Sequence, residues 1–115
     1  GYARLPYIDY IEPILSACAP VFTKSGKGLE CKVEVRNFGQ VGSKKALVEV
    51  GYKKEGKTIK VASGMVPALK PYEKTDLLLS AKDRFEEGKE YDLIVTLSSG
   101  KKVLSTFNLK KKVLE

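Results

Sequence analysis

Apolar residues occupy alternate positions twice in the first half of the chain, from Leu29 to Val35 and from Ala46 to Tyr52. A period of two is that of a β-strand with one face buried and the other face in water. Residues 37–43 separate the two runs and contain Asn, Gly and Ser, which favour turns. The pattern therefore predicts two half-buried central strands joined by a loop, with a second layer of the fold covering their apolar face.

The next predicted element is a hairpin with its turn at residues 55–56, which are Glu and Gly. Folding the chain there places Val50 opposite Val61, so that the apolar faces of the two strands coincide. The returning strand is expected at 58–65. A proline-led turn then leads to a short strand at 75–80.

Alternation is cleanest near the end of the chain, from Tyr91 to Leu97. A loop centred on Gly100 would pair Leu97 with Val103, and we expect an odd-length loop with Gly100 in or near the left-handed conformation. Tyr91 opens the penultimate strand. From there a tyrosine can lock a corner of an immunoglobulin-like sandwich through its hydroxyl, or can simply pack in the core.

About seven strands, frequent turn signals and no long helix predict an all-β fold, an immunoglobulin-like antiparallel β-sandwich. A chain of 115 residues is long enough for one such domain. We expect an irregular lead-in at 1–9, the sandwich at 10–109 and a basic tail at 110–115. The strands at about 10–18 and 58–65 are expected to be sheet edges, where a partner could dock.

The chain carries 21 Lys and Arg against 14 Asp and Glu, and the excess is almost entirely lysine. Lysine spread over strands and turns keeps a protein soluble and protects sheet edges, whereas a nucleic-acid groove usually interleaves arginine with aromatic residues. A basic module that binds nucleic acid or another anionic polymer is therefore an alternative interpretation. The lysines that would contact the anion are Lys44, Lys45, Lys53, Lys54, Lys101 and Lys102.

Histidine and tryptophan are absent, and the sequence contains one Gln and two Asn. Without histidine, no Ser–His or Cys–His nucleophile can form, and two cysteines alone do not supply the usual four ligands of zinc. We predict no catalytic residue, no metal and no cofactor. The scarcity of labile amides beside many Lys and Glu is typical of a thermophile.

Two cysteines, Cys18 and Cys31, lie symmetrically about residues 24–25. A hairpin folded at that point would place them opposite each other and permit a cross-strand disulfide. Such a bond would indicate an oxidising location outside the cytoplasm. The alternative is two buried thiols that act as small apolar residues.

Three tyrosines, Tyr2, Tyr7 and Tyr10, lie near the start of the chain beside Leu5 and Ile8. They could form an exposed apolar surface on which a protein partner or a second copy docks. Packing over an open end of the sandwich is the alternative.

The segments VEVRNFGQVGSKKALVEVGYKKEGK, ALKPYEK and FEEGKEYDLIVTLSSGK resemble the CARDB-type immunoglobulin-like domains of bacterial and archaeal surface proteins. The resemblance covers residues 29–109 and rests on turn residues. The chain has Lys70-Pro71-Tyr72 where that family usually has a Pro-Gly turn, and it lacks the acidic residues from which calcium binding would follow. The Ser-Gly-Lys turn is also similar to β-sandwich ectodomains of archaeal pilin-like and archaellum-anchoring proteins.

These resemblances imply adhesion, assembly or cell-wall contact without catalysis. Together with the residue pattern, they predict a non-catalytic structural, adhesion or protein-interaction module on an archaeal or bacterial cell surface or appendage. The alternatives are the basic binding module described above and an accessory domain of an enzyme. No run of residues approaches the ~18 apolar residues of a membrane span.

Overall fold

The computed structural model describes residues 12–26, 28–82 and 85–114, and all of its regular secondary structure there is β-strand. This confirms the predicted all-β class. The strands are β1 (Leu15–Ala17), β2 (Val21–Ser25), β3 (Gly28–Asn37), β4 (Ala46–Lys54), β5 (Lys57–Val66), β6 (Lys74–Ala81), β7 (Glu90–Ser99) and β8 (Lys102–Lys112).

The strands form two antiparallel sheets that pack face to face as an immunoglobulin-like sandwich. In the first sheet β6 pairs with one side of β3, while β1 and β2 pair in succession with the other side. Because β1 and β2 share this side, they act as one interrupted edge strand, in agreement with the prediction of about seven strands. The second sheet has the order β5-β4-β7-β8, so that the predicted edge at 58–65 is confirmed.

The core lies between the sheets and is built from the alternating positions that the sequence pattern indicates. On β3, Val33 and Val35 are fully buried, and on β7, Leu93 and Leu97 are fully buried. Burying a side chain of this size contributes roughly 1.5–3 kcal/mol. Burial of these four residues and of the apolar positions of β4 therefore determines which faces of β3, β4 and β7 point inward.

A β-bulge in the β4–β5 hairpin changes the expected register. Val50 lies opposite Ala62 instead of Val61, because the register shifts between Val50 and Gly51. At Gly51 the carbonyl oxygen of Ile59 would lie 2.6 Å from an added Cβ, so the bulge depends on glycine at this position. The predicted pairing of Val50 with Val61 is therefore wrong.

The β7–β8 turn also differs from the expectation. Ser99 pairs with Lys102 across a two-residue turn, and a second bulge places Leu97 opposite Ser105 instead of Val103. The odd-length loop is therefore wrong. Gly100 does adopt the left-handed conformation, with φ of 60°, as predicted.

The first hairpin and the end of the chain depart from the predictions. Residues 21–25 form β2, and the chain turns after Ser25 instead of at residues 24–25, where the hairpin between the cysteines was expected to fold. Residues 110–112 belong to β8, and Val113 is buried in the core, so the predicted basic tail is wrong over 110–114. The cause is the apolar pair at 113–114, which packs against the sandwich instead of trailing into water. The expected lead-in at 1–9 lies outside the described residues.

The two cysteines do not face each other. Cys31 lies opposite Phe22, whereas the backbone N–H of Cys18 donates to the carbonyl of Glu34. Because the β2–β3 turn and the interruption between β1 and β2 change the register, the predicted opposition is wrong, and both thiols are free. Cys31 is buried, and desolvation raises the pKa of its thiol to about 12. The positive charge of Lys111 acts in the other direction and lowers this pKa by less.

Candidate functional site

The two ends of the sandwich differ in chemistry. One end, called the Asn37 end here, consists of residues 12–14, 36–45, 65–74 and 98–104. It contains the lead-in to β1, the β3–β4 loop, the β5–β6 turn and the β7–β8 turn. The opposite end carries the β4–β5 turn and the segment that leads into β7.

Asn37 holds several parts of this end together. Its side chain is fully buried, and Oδ1 accepts hydrogen bonds from the backbone N–H of Ile14 at 3.1 Å and of Gly39 at 2.9 Å. Its Nδ2 donates to the carbonyls of Val41 at 2.7 Å and Leu69 at 3.3 Å. An Asn after a strand readily bonds the backbone two residues on, and here it also ties in two more segments.

Ser43 reinforces this network from the other side of the loop. Its Oγ accepts a hydrogen bond from the backbone N–H of Leu69 at 2.9 Å, and its own N–H donates to the carbonyl of Leu69 at 2.8 Å. A satisfied network of buried polar groups makes one loop arrangement much more stable than others. The Asn37 end is therefore a rigid platform.

Three exposed apolar side chains belong to adjoining segments of this platform. The hydrogen bond from the N–H of Phe38 to the carbonyl of Ile14 extends the β1–β3 ladder, and that from the N–H of Asn37 to Glu73 extends the β3–β6 ladder. Phe38 therefore lies beside Ile14, and Tyr72 lies in the adjoining β5–β6 turn, directly before Glu73. These three side chains, called the apolar row here, are 58%, 51% and 62% exposed in the order Ile14, Phe38, Tyr72.

Exposed apolar surface is concentrated at the Asn37 end. Six of the eight large apolar side chains that stand out as exposed in the described residues belong to this end, and the other two lie on the outer face of the first sheet. The six are Ile14, Phe38, Met65, Tyr72, Val103 and Leu104. Beside them a cleft of about 260 Å³ is lined by Pro13, Leu15, Gly42, Ser43, Lys44, Ser99, Lys102 and Leu104.

The same end is strongly basic. Among the described residues of this end, the carboxylates are those of Glu12 and Glu73, whereas the cations are Arg36, Lys44, Lys45, Lys70, Lys74, Lys101 and Lys102. Lys53 and Lys54 lie at the other end of β4, roughly 25 Å away at ~3.3 Å per residue. The six lysines predicted to contact an anion are therefore divided between two ends and do not form one surface.

Arg36 lies in the row of side chains next to the apolar row. Its guanidinium is placed over the ring of Phe38 at 5.7 Å, and its buried Nε has no hydrogen-bond partner among the described residues. Its direct neighbours across the sheet are Ser16 and Lys74. Neither neighbour is a carboxylate.

The opposite end is built on an aromatic cluster. The hydroxyl of Tyr91 accepts a hydrogen bond from the backbone N–H of Glu86 at 2.9 Å, which confirms the predicted tyrosine corner. The rings of Tyr52 and Phe85 contact that of Tyr91 at 5.2 and 4.9 Å.

An open groove of about 520 Å³ lies beside this cluster and carries both signs of charge. Among the described residues no group of three or more His, Cys, Asp and Glu could hold a metal ion. The groove is lined by Tyr52, Lys53, Lys54, Glu86, Lys89, Glu90, Tyr91, Asp92 and Lys110.

Sequence reasoning missed the residues that matter most at the Asn37 end. Residues 37–43 were interpreted as turn chemistry, although Asn37 is the buried centre of the loops. The available signal was Tyr72, an aromatic residue in a turn position where glycine would be expected. The predicted interaction surface, which consists of Tyr2, Tyr7 and Tyr10, lies outside the described residues.

No helix in the described part of the chain is long and apolar enough to cross a membrane.

Comparison with known proteins finds similar structures but no matching sequence family. No family model and no curated protein matches the chain. The structure is similar to part of DesR, a β-glucosidase from Streptomyces venezuelae, with a TM-score of 0.50, 16% identity and coverage of 85% of this chain and 15% of that one. It is also similar to part of β-glucosidase 3B from Thermotoga neapolitana, with a TM-score of 0.50, 15% identity and coverage of 90% of this chain and 16% of that one.

These likenesses support the sandwich fold. The chain spans about one sixth of the length of the proteins it resembles. The resembling region is thus a small part of a much larger enzyme in both cases.

Proposed function

We propose that this chain is a non-catalytic accessory domain of a larger enzyme, which docks onto another protein domain through the apolar row. The observation that carries the proposal is that Ile14, Phe38 and Tyr72 are more than half exposed and belong to adjoining segments that backbone hydrogen bonds join at the Asn37 end. The β-glucosidase neighbours support an accessory role, because in them this fold is a small part of the chain.

The apolar row has the composition of an interface centre. Aromatic residues and arginine are enriched at the positions that dominate binding energy, and both occur here as Phe38, Tyr72 and Arg36. Removing apolar surface from water yields about 25 cal/mol per Å². Covering the row with a partner would therefore stabilise the complex relative to the separated proteins.

Tyr72 gives a second argument for a role outside the fold. Its φ is 63°, in the left-handed region, which costs an L-residue about 1–2 kcal/mol and suits glycine. The ring is mostly exposed and therefore repays little of this cost within the domain. An unfavourable backbone conformation at an exposed aromatic residue suggests that the ring serves a contact with another molecule.

A module of this kind could equally attach a cell-surface protein to its partner, as the sequence predicted. The two roles use the same surface and differ in whether the partner domain belongs to the same polypeptide. A location outside the cytoplasm stays a prediction.

Thiol footprinting tests the proposal. In a Cys18→Ser background, the variant Phe38→Cys places a thiol in the apolar row, and Leu78→Cys places one on the exposed outer face of β6 as a matched control. Cys31 is not expected to react with maleimide, because it is buried and the pKa of its thiol is raised to about 12. Maleimide alkylation rates are measured for the purified chain and in extracts of the cells that make the protein.

We expect alkylation at position 38 to be at least about tenfold slower in the extract than in the purified chain, because a partner excludes the reagent from a buried interface. Alkylation at position 78 should proceed at the same rate in both. Equal rates at position 38 in the two settings would mean that the row is uncovered and would refute the docking role.

A further inference from the structure

We infer that Arg36 binds a carboxylate of the docking partner, so that the surface that fits the Asn37 end is an apolar protein patch bordered by Asp or Glu. This inference rests on the proposed function and names the chemistry of the partner. Three features of the described residues carry it.

The first feature is a pair of like charges. Arg36 lies directly opposite Lys74 in the β3–β6 ladder, and like charges in this position destabilise a sheet. The carboxylate of Asp76, one row away, pairs with Lys32 at 3.8 Å instead. No carboxylate of the described residues is within ion-pair distance of Arg36, so that part of the domain does not compensate its charge.

The second feature is the way in which Arg36 is held. The guanidinium lies over the ring of Phe38, and its Nε is buried without a hydrogen-bond partner. An aromatic ring at this distance attracts the guanidinium and favours a position over its face. A planar guanidinium held in this way is prepared to bind a carboxylate through two parallel hydrogen bonds.

The third feature is the charge of the whole end. Cations outnumber carboxylates among the described residues of this end, which makes pairing with a second copy of the same end unfavourable. The complementary surface is negatively charged, and the adjoining apolar row requires that it also be apolar at its centre. Protein carboxylates around an apolar patch meet both requirements, whereas a nucleic-acid backbone offers charge without apolar surface.

Site-specific photocross-linking in the cells that make the protein tests the inference. A benzoylphenylalanine replaces Tyr72 in one variant and Leu78 in the control variant, and cross-linked peptides are identified by mass spectrometry. The Tyr72 variant is then combined with Arg36→Gln, Arg36→Lys or Lys57→Gln. Lys57 is an exposed cation at the opposite end and is the matched charge control.

We expect the Tyr72 position to cross-link to a peptide with Asp or Glu beside the attachment point. Arg36→Gln should lower the yield about tenfold, and Arg36→Lys should lower it less because the charge remains but the two-pronged hydrogen bonding is lost. Lys57→Gln should leave the yield unchanged. Circular dichroism verifies that each variant is folded.

The outcomes separate the inference from the proposed function. If Tyr72 cross-links strongly but the peptide lacks carboxylates, or the yield does not respond to Arg36→Gln, docking stands and the role of Arg36 is wrong. A cross-link to nucleic acid would overturn the partner chemistry. If Tyr72 cross-links no more than Leu78, the docking surface itself is wrong, and capture of an unidentified protein without adjacent carboxylates does not count as support.

Discussion

Replacement of Asn37 by alanine is expected to lower the free energy of unfolding by about 3–4 kcal/mol, since each buried polar group left unpaired costs about 1–3 kcal/mol. The N–H groups of Ile14 and Gly39 lose their acceptor, and the carbonyls of Val41 and Leu69 lose a donor. Alanine cannot replace any of these bonds. Equilibrium unfolding in urea at neutral pH measures the change.

Ser43→Ala provides the matched comparison in the same loop. It removes a single acceptor for the N–H of Leu69 and leaves the backbone bond between the two residues in place. We expect a loss of about 1 kcal/mol. A loss below about 1 kcal/mol for Asn37→Ala, or one equal to that of Ser43→Ala, would contradict the view that Asn37 holds the loops of this end together.

Gly39→Ala is expected to destabilise the domain by about 2–3 kcal/mol through steric overlap. A Cβ at position 39 would lie 2.5 Å from the carbonyl oxygen of Glu12, 2.8 Å from the nitrogen of Ile14 and 2.9 Å from Cα of Pro13. All three atoms belong to the backbone, so that the lead-in segment must move away from the β3–β4 loop. The bonds that hold Ile14 in the apolar row would weaken as a result.

Gly42→Ala is the control for this substitution, because its Cβ would meet only the carbonyl of Leu69 at an ordinary 3.5 Å. It should change the stability by less than about 0.5 kcal/mol. The same urea titration serves for both variants. A similar effect of the two substitutions would show that loop flexibility, and not the close approach at position 39, determines the stability.

The sequence was a good guide to the strands whose two faces differ. The runs that end at Val35 and Tyr52 and the run from Tyr91 to Leu97 each form a strand with the expected face buried. The reason is physical: a half-buried strand must alternate, because only one face can leave water. Tyr91 could also be placed in advance, because its hydroxyl bonds a backbone group only five residues away.

The sequence was a poor guide where a strand has little buried surface or where a hairpin contains a bulge. In β2 only Phe22 is partly buried, so that its pattern resembles that of a polar loop. Both bulges escaped prediction, because alternation within each strand does not specify where an extra residue enters the pairing. The predicted tail failed because Val113 gains its burial from residues distant in the chain.

The candidate site was hidden for a related reason. Ile14, Phe38 and Tyr72 come from three separate segments, which backbone hydrogen bonds beyond the strand ends bring to the same end of the sandwich. No periodicity connects them in the sequence. Arg36 alternates normally along β3, and only the structure shows Lys74 opposite it.

The central claim is that the apolar row serves a partner and not the fold, and the stability of Tyr72→Gly in the isolated chain tests it most directly. Glycine removes the exposed ring and relieves the left-handed φ of 63°. Urea unfolding should show a free energy of unfolding that is unchanged or higher by up to about 1 kcal/mol. A decrease of more than about 1 kcal/mol would mean that the ring supports the fold of the domain itself, and it would contradict the account.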